Sequence, residues 1–209
     1  MYFGPVVMQA RRKRTFGTYD GGYKKAKQPL PRVILPIFEP SGLLELGSHN
    51  KEGILLKHVE PSDARSPEQF WDKYNVPLNQ RNLFQAVVYK RGVKTPLKEY
   101  DLGSRSSYIL GRELGRSLNE QEKEVVVADI GIPEETCSKQ HCAIQFREIG
   151  GKLLVYVIDL ESSNGTSLNG LKLPSARYVQ LRSGDLITLS EEDESNYETV
   201  RPDRIEEKV

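Results

Sequence analysis

The sequence predicts an all-β domain of the sandwich or barrel kind behind a long N-terminal extension. Three observations point there. From Asn82 onward, short segments rich in Val, Ile, Leu, Tyr and Phe recur, separated by Gly, Asn, Asp and Ser. No helical periodicity of ten or more residues intervenes, so the crossover helices of a parallel sheet have no place. Asn169-Gly170 lies between two short strands and marks a tight hairpin, because a type I′ turn needs φ > 0 at both central positions.

The expected strands are 83–89, 97–100, 108–110, 124–128, 143–147, 153–160, 167–168, 171–173, 178–181 and 185–189. Several alternate apolar and polar residues, as in Ala143-Ile144-Gln145-Phe146, the period-two pattern of a strand with one buried face. Beyond Leu189 the chain turns acidic at 191–194, which reads as a solvated loop. A closing strand over 197–200 is limited to about four residues, since Pro202 cannot donate to a ladder.

The part before residue 81 differs. Eight of the twelve prolines lie there. Residues 1–34 mix basic side chains with Gly and Pro and hold few aliphatics, so they read as a disordered basic tail. Residues 1–35 carry eight basic side chains against Asp20 alone, a charge of +7, while the whole chain of 209 residues sums to only +1. The run Arg11-Arg12-Lys13-Arg14 reads as a nuclear import signal or a weak RNA-phosphate contact, with a plain solvated tail as the alternative. Residues 35–50 form a linear motif too apolar for a linker; Ile37, Phe38, Leu43, Leu44 and Leu46 suit either a partner's groove or the chain's own domain. Residues 51–80 are expected to pack on the domain. Gly53-Ile54-Leu55-Leu56-Lys57 suggests a strand, and Ser66-Pro67-Glu68-Gln69 a capped helix start that anchors Phe70 and Trp71. The domain itself spans 81–200, and 201–209 is a charged tail.

Composition excludes several classes. No stretch nears the roughly 18 apolar residues of a spanning helix, so no membrane association is expected. Residues 1–10 do not read as a secretory signal. Two cysteines exclude a disulfide scaffold and suit a reducing compartment. Cys137 and Cys142 flank His141, but the other histidines, His49 and His58, are distant in sequence, so no metal is expected. No cofactor is expected either: Gly111-Arg112-Glu113-Leu114-Gly115 lacks the glycine spacing and following helix of a dinucleotide fingerprint. No nucleophile–base pair or metal set suggests an enzyme.

Four fragments at strand ends carry the chemistry: Gly111-Arg112, Ser138-Lys139-Gln140-His141, Ser163-Asn164-Gly165-Thr166 and Asn169-Gly170. A sandwich gathers loops at one pole, where these fragments can meet. Arg supplies a planar fork of donors that matches a phosphate. Serine hydroxyls and loop N–H groups encircle an oxyanion, and Asn pairs with a peptide backbone. The competing reading of Arg112 is a salt bridge to Glu113 or Asp159. His141 reads as a hydrogen-bonded structural residue, not a base.

In this order and spacing, with 26 residues from Arg112 to Ser138 and 23 from His141 to Asn164, the fragments resemble the forkhead-associated (FHA) domain over about 82–190. That resemblance implies an FHA-type β-sandwich of about eleven strands whose apical loops bind phosphothreonine peptides. Carried over, Arg112 pairs with the phosphate, and Ser138 and Ser163 face it. Lys139 adds charge at the rim, and Asn164 bonds the ligand backbone. Gly111, His141, Gly165 and Asn169 are scaffold. Ser41-Gly42-Leu43-Leu44, Gly53-Ile54-Leu55-Leu56-Lys57, Glu60-Pro61, Asp63-Ala64-Arg65, Cys137-Ser138-Lys139-Gln140-His141 and Ile158-Asp159-Leu160 extend the resemblance. Together they look like the FHA subunits of the retention and splicing complex. This implies a non-enzymatic nuclear adaptor that promotes pre-mRNA splicing and retention of unspliced pre-mRNA, docking an RNA-recognition-motif subunit through residues 31–47. The alternative is an FHA-fold scaffold acting as a phospho-independent surface, with the basic tail contacting RNA.

Overall fold

The computed structural model describes residues 6–11, 31–37, 50–51, 54–90, 93–113 and 127–189. Its strands in chain order are β1 (Val6–Arg11), β2 (Ile34–Ile37), β3 (Asn50–Lys51), β4 (Ile54–Leu55), β5 (Leu83–Tyr89), β6 (Pro96–Asp101), β7 (Ser107–Arg112) and β8 (Ile130–Ile132). They continue with β9 (Cys142–Ile149), β10 (Lys152–Asp159), β11 (Ser167–Leu168), β12 (Leu171–Lys172), β13 (Arg177–Gln180) and β14 (Leu186–Thr188). Among the described residues one α-helix, α1 (Pro67–Lys73), lies between β4 and β5. One sheet runs β12-β11-β14-β1-β5-β6, the other β2-β13-β10-β9-β7-β8, and β3 and β4 form a separate hairpin. The fold is an all-β sandwich of two six-stranded sheets, within the class that the strand pattern predicts.

The alternation read from the sequence decides the layers. On β9, Cys142, Ile144 and Phe146 point between the sheets and join Phe84, Ala86, Val88, Leu110, Val157 and Ile187 in the main core. Each fully buried aliphatic or aromatic side chain there contributes on the order of 1.5–3 kcal/mol. The predicted hairpin forms at Asn169-Gly170, with φ of 52° and 78°.

The opposite face of β9 is covered as well. Residues 54–66 cross it as a strap. His58 Nε2 meets Gln145 Oε1 at 2.8 Å, and Asp63 takes a two-point hydrogen bond from Arg147 at 2.8 and 2.9 Å. The Arg147 guanidinium lies 4.9 Å from the Tyr178 ring centre, so its charge is shared between a carboxylate and an aromatic face. The strap leads into α1 at Ser66, whose hydroxyl accepts from Gln69 N while the Gln69 side chain accepts from Ser66 N. That reciprocal cap and Pro67 at the first position set the helix start, as expected. Trp71 and Phe70 then pack on the core.

Three differences from the sequence reading stand out. Residues 6–11 do not belong to a disordered tail: β1 pairs with β5 over six positions and with β14 over two, closing the first sheet. Only Arg11 of these six residues is basic, and Val6, Val7 and Met8 suit a strand, so composition averaged over 1–34 misjudged them. Residues 31–34 are also tied down. Arg32 makes a two-point ion pair with the buried Asp185 at 2.6 Å, and Arg182 Nη2 donates to Pro31 O at 2.9 Å. β2, from the apolar motif, is an edge strand on β13, which leaves Ile37 exposed. Finally, β8 at 130–132 was not expected, because three residues interrupted by Gly131 give almost no periodicity to read; of the strand expected over 124–128, residues 124–126 lie outside the described residues. Residues 1–5 and 12–30, the motif residues Phe38, Leu43, Leu44 and Leu46, and everything after Leu189 lie outside the described residues.

Candidate functional site

Three connections meet beyond the end of β7: the end of β7 itself, the β8–β9 connection and the β10–β11 loop. Gly111 lets them approach. A Cβ there would lie 2.0 Å from the Lys139 carbonyl oxygen, a backbone atom that cannot swing aside. With no side chain in the way, Arg112 N donates to Ser138 O and His141 N to Leu110 O, each at 2.9 Å.

His141 ties the other two connections together. It is fully buried, takes Ser138 N on Nδ1 at 3.1 Å and places Nε2 3.0 Å from Gly165 O. A carbonyl only accepts, so Nε2 carries the proton and Nδ1 is the acceptor. Burial lowers its pKa below the ordinary histidine value, which keeps the ring in that neutral tautomer. The neighbouring Cys137 thiol, 3.5 Å from Nδ1, is pushed up to about 12 by burial and stays a thiol.

Ser138 and Ser163 come together. Ser138 Oγ accepts from Ser163 N at 3.1 Å and lies 3.4 Å from Ser163 Oγ. Arg112 Nη1 donates to Glu135 O at 3.3 Å, and Asn164 Nδ2 donates to Thr136 O at 2.9 Å. The structure therefore brings Arg112, Ser138, Ser163 and Asn164 to one set of connected loops, with Lys139 exposed beside them. The competing partners of Arg112 are engaged elsewhere. Glu113 takes Lys98 at 2.7 and 2.8 Å, and Asp159 takes hydroxyls.

Asp159 was missed as a frame residue. Almost fully buried, it accepts from Ser162 Oγ and Thr166 Oγ1, both at 2.6 Å, and so braces the loop from below. Its signal in the sequence was its place beside Ser162 and Thr166, both hydroxyl donors. Gly165 adopts φ of +77°, and the Lys172 stem packs where its side chain would be. Asn169 belongs to a different cluster: its Nδ2 donates to Asp185 at 3.1 Å and its Oδ1 accepts from Leu186 N at 2.9 Å.

A guanidinium, two hydroxyls, an amide and a rim ammonium, with no carboxylate placed for proton transfer among the described residues, suit holding an anionic group on a chain. Fold and loop cluster define an FHA-domain protein, and the FHA domain family matches residues 108–190. The chain is 52% identical over 197 residues to pre-mRNA leakage protein 1 of Saccharomyces cerevisiae, covering 91% of this chain and 97% of that protein. It is 30% identical over 161 residues to mouse Smad nuclear-interacting protein 1, covering 73% of this chain but only 35% of the mouse protein. A solved structure of the yeast Pml1 splicing factor and its integration into the RES complex is similar with a TM-score of 0.60 and 53% identity, covering 68% of this chain and 92% of that one. The chain belongs to the pre-mRNA leakage protein family of FHA-domain proteins.

Proposed function

We propose that this chain is a non-enzymatic nuclear adaptor of a retention and splicing complex, and that its FHA loops hold a phosphothreonine peptide. It would promote pre-mRNA splicing and the retention of unspliced pre-mRNA. The observation that carries the site reading is the meeting of Ser138 and Ser163 at 3.1 and 3.4 Å beside Arg112. The assembly reading rests on the identity to a protein named for pre-mRNA leakage and to a structure described as integrated into the RES complex. Arg112 pairs with the phosphate, Ser138 and Ser163 donate hydroxyls, Lys139 adds charge and Asn164 bonds the ligand backbone. Charge-assisted hydrogen bonds of roughly 1.5–3 kcal/mol each suit an affinity in the micromolar range, about 8 kcal/mol.

Residues 31–47 dock the RNA-recognition-motif subunit. Ile37, Phe38, Leu43, Leu44 and Leu46 supply the apolar contacts, starting from the exposed end of β2. The basic run from Arg11 adds a weak, salt-sensitive RNA contact.

The test is a phosphothreonine-oriented peptide library on the full chain, followed by calorimetry of the selected peptide with and without its phosphate. A phosphorylated form bound at least about tenfold tighter supports the reading. Equal binding of both forms turns the domain into a phospho-independent surface. A peptide of residues 29–48 that fails to bind the subunit, while the rest of the chain binds it, removes the docking assignment.

A further inference from the structure

The strap reaches both loops of the phosphate site through two residues that no role so far explains. Gln140 lies between Lys139 and His141 and is buried. Its side-chain amide acts as a strand partner. Oε1 accepts from Lys57 N at 2.8 Å, and Nε2 donates to Leu55 O at 2.9 Å. Lys57 then extends to the second loop, where its Nζ donates to Leu160 O at 3.2 Å. Leu160 opens the loop that carries Ser163 and Asn164, and its own N–H donates to His141 O at 3.0 Å. One strap residue thus bonds the turn of Ser138 on one side and the loop of Ser163 on the other. Residues 54–57 lie outside the stretch that matches the FHA family, which begins at 108.

We propose that residues 54–57 are part of the frame of the phosphate-binding site, with Lys57 and Gln140 as positioning residues that hold the two loops at binding separation. The ligand in this inference is the phosphothreonine peptide proposed above. The direct bonds between the two loops include the Ser138–Ser163 contacts at 3.1 and 3.4 Å, which are exposed to solvent. Loops left to order only when the ligand arrives charge that ordering against affinity. Gln140 also has no cheap alternative. Without Lys57 N and Leu55 O its buried amide loses an acceptor and a donor partner together.

A strap that merely stabilises the sandwich would act differently, and Asp63 provides the control. Its pairing with Arg147 ties the strap to β9, but it bonds neither phosphate loop. The experiment uses the full chain with Gln140→Leu, Lys57→Met, Lys57→Arg and Asp63→Asn. The probe is the phosphothreonine peptide selected by the unmodified chain from a degenerate library. Three quantities are read: affinity by calorimetry, melting temperature, and hydrogen exchange of the Ser138, Leu160 and Ser163 amides.

Gln140→Leu is expected to weaken binding about tenfold and Lys57→Met about threefold, with faster exchange at all three amides. Lys57→Arg restores the affinity. Asp63→Asn lowers the melting temperature but leaves affinity within about twofold. Affinity losses that simply track melting temperature across the set, Asp63→Asn included, overturn the inference. If the unmodified chain prefers no phosphothreonine peptide, the phosphopeptide reading falls, and exchange alone then decides the strap. Unchanged exchange in Gln140→Leu and Lys57→Met refutes it, and faster exchange at both loops sustains it.

Discussion

Two clusters in this molecule share one donor chemistry: the first holds a carboxylate of the chain, and the second is the one proposed to hold a ligand's phosphate. Around Asp185, the Arg32 fork binds at 2.6 Å on both nitrogens, Arg182 N at 2.7 Å and the Asn169 amide at 3.1 Å. Around Ser138, the donors are again an Arg, hydroxyls, a backbone N–H and an Asn amide. The difference is the source of the anion. In the first cluster the chain supplies its own carboxylate, and the ring of donors joins residue 32 to the β13–β14 turn. In the second, the nearby carboxylates of Glu113 and Asp159 are committed to Lys98 and to hydroxyls. An arginine fork with its anion built in is a staple; one that makes no ion pair among the described residues is suited to a ligand.

The sharpest way to break this comparison is to remove each arginine. Arg112→Ala should cost about 2–5 kcal/mol of phosphothreonine-peptide binding in calorimetry and leave the urea midpoint nearly unchanged. Arg32→Ala should do the reverse, lowering unfolding free energy by roughly 3 kcal/mol, the low end for breaking a buried pair, with affinity intact. If either variant moves both readouts equally, the two clusters are not separate devices.

The Asp185 cluster also has a pH signature. Burial pushes the Asp185 carboxyl up, but the Arg32 hydrogen bonds, the Arg182 N–H and the Asn169 amide together outweigh it and hold the pKa below the ordinary 3.8. A depressed folded-state pKa stabilises above the unfolded value and is lost as pH falls through the folded one. Stability should therefore drop below about pH 4, and the part due to this pair should vanish in Arg32→Ala denaturation curves.

Gly111→Ala should cost about 1–3 kcal/mol of stability, since its Cβ collides with the Lys139 backbone, and should weaken peptide binding with it. An unchanged melting curve would show that the β7 end and the 138–141 turn need not touch. The smallest effect belongs to Lys139→Ala. An exposed rim charge should contribute at most about 1 kcal/mol, shrinking as salt is raised in a titration series.

Much of the fold was legible before any coordinates. Short β-rich segments bounded by Gly, Asn, Asp and Ser located β5, β9, β10 and β14 to within two residues, because strand residues and turn residues differ in their backbone preferences. Ser66-Pro67-Glu68-Gln69 located the helix start through local hydrogen bonds alone. The site fragments were legible because their residue types and order are specific in combination. What escaped was non-local. Nothing in Val6–Arg11 says that β5 and β14 leave a place between them, and nothing around Arg32 names Asp185, 153 residues on. Gln140 looked like a spacer inside a motif until the strap was seen to lie against it.

By itself the sequence determined most of the strand segments, the hairpin at Asn169-Gly170, the capped helix and the residue types of the loop cluster proposed to hold a phosphate. These depend on backbone preferences and side-chain chemistry within a few neighbouring residues. Tertiary structure alone decided which strand closes the first sheet, which arginine is spent on an internal carboxylate, and that Lys57 spans both loops of the site. Those outcomes depend on groups far apart in the chain meeting within hydrogen-bonding distance, and only the packed sandwich sets that distance.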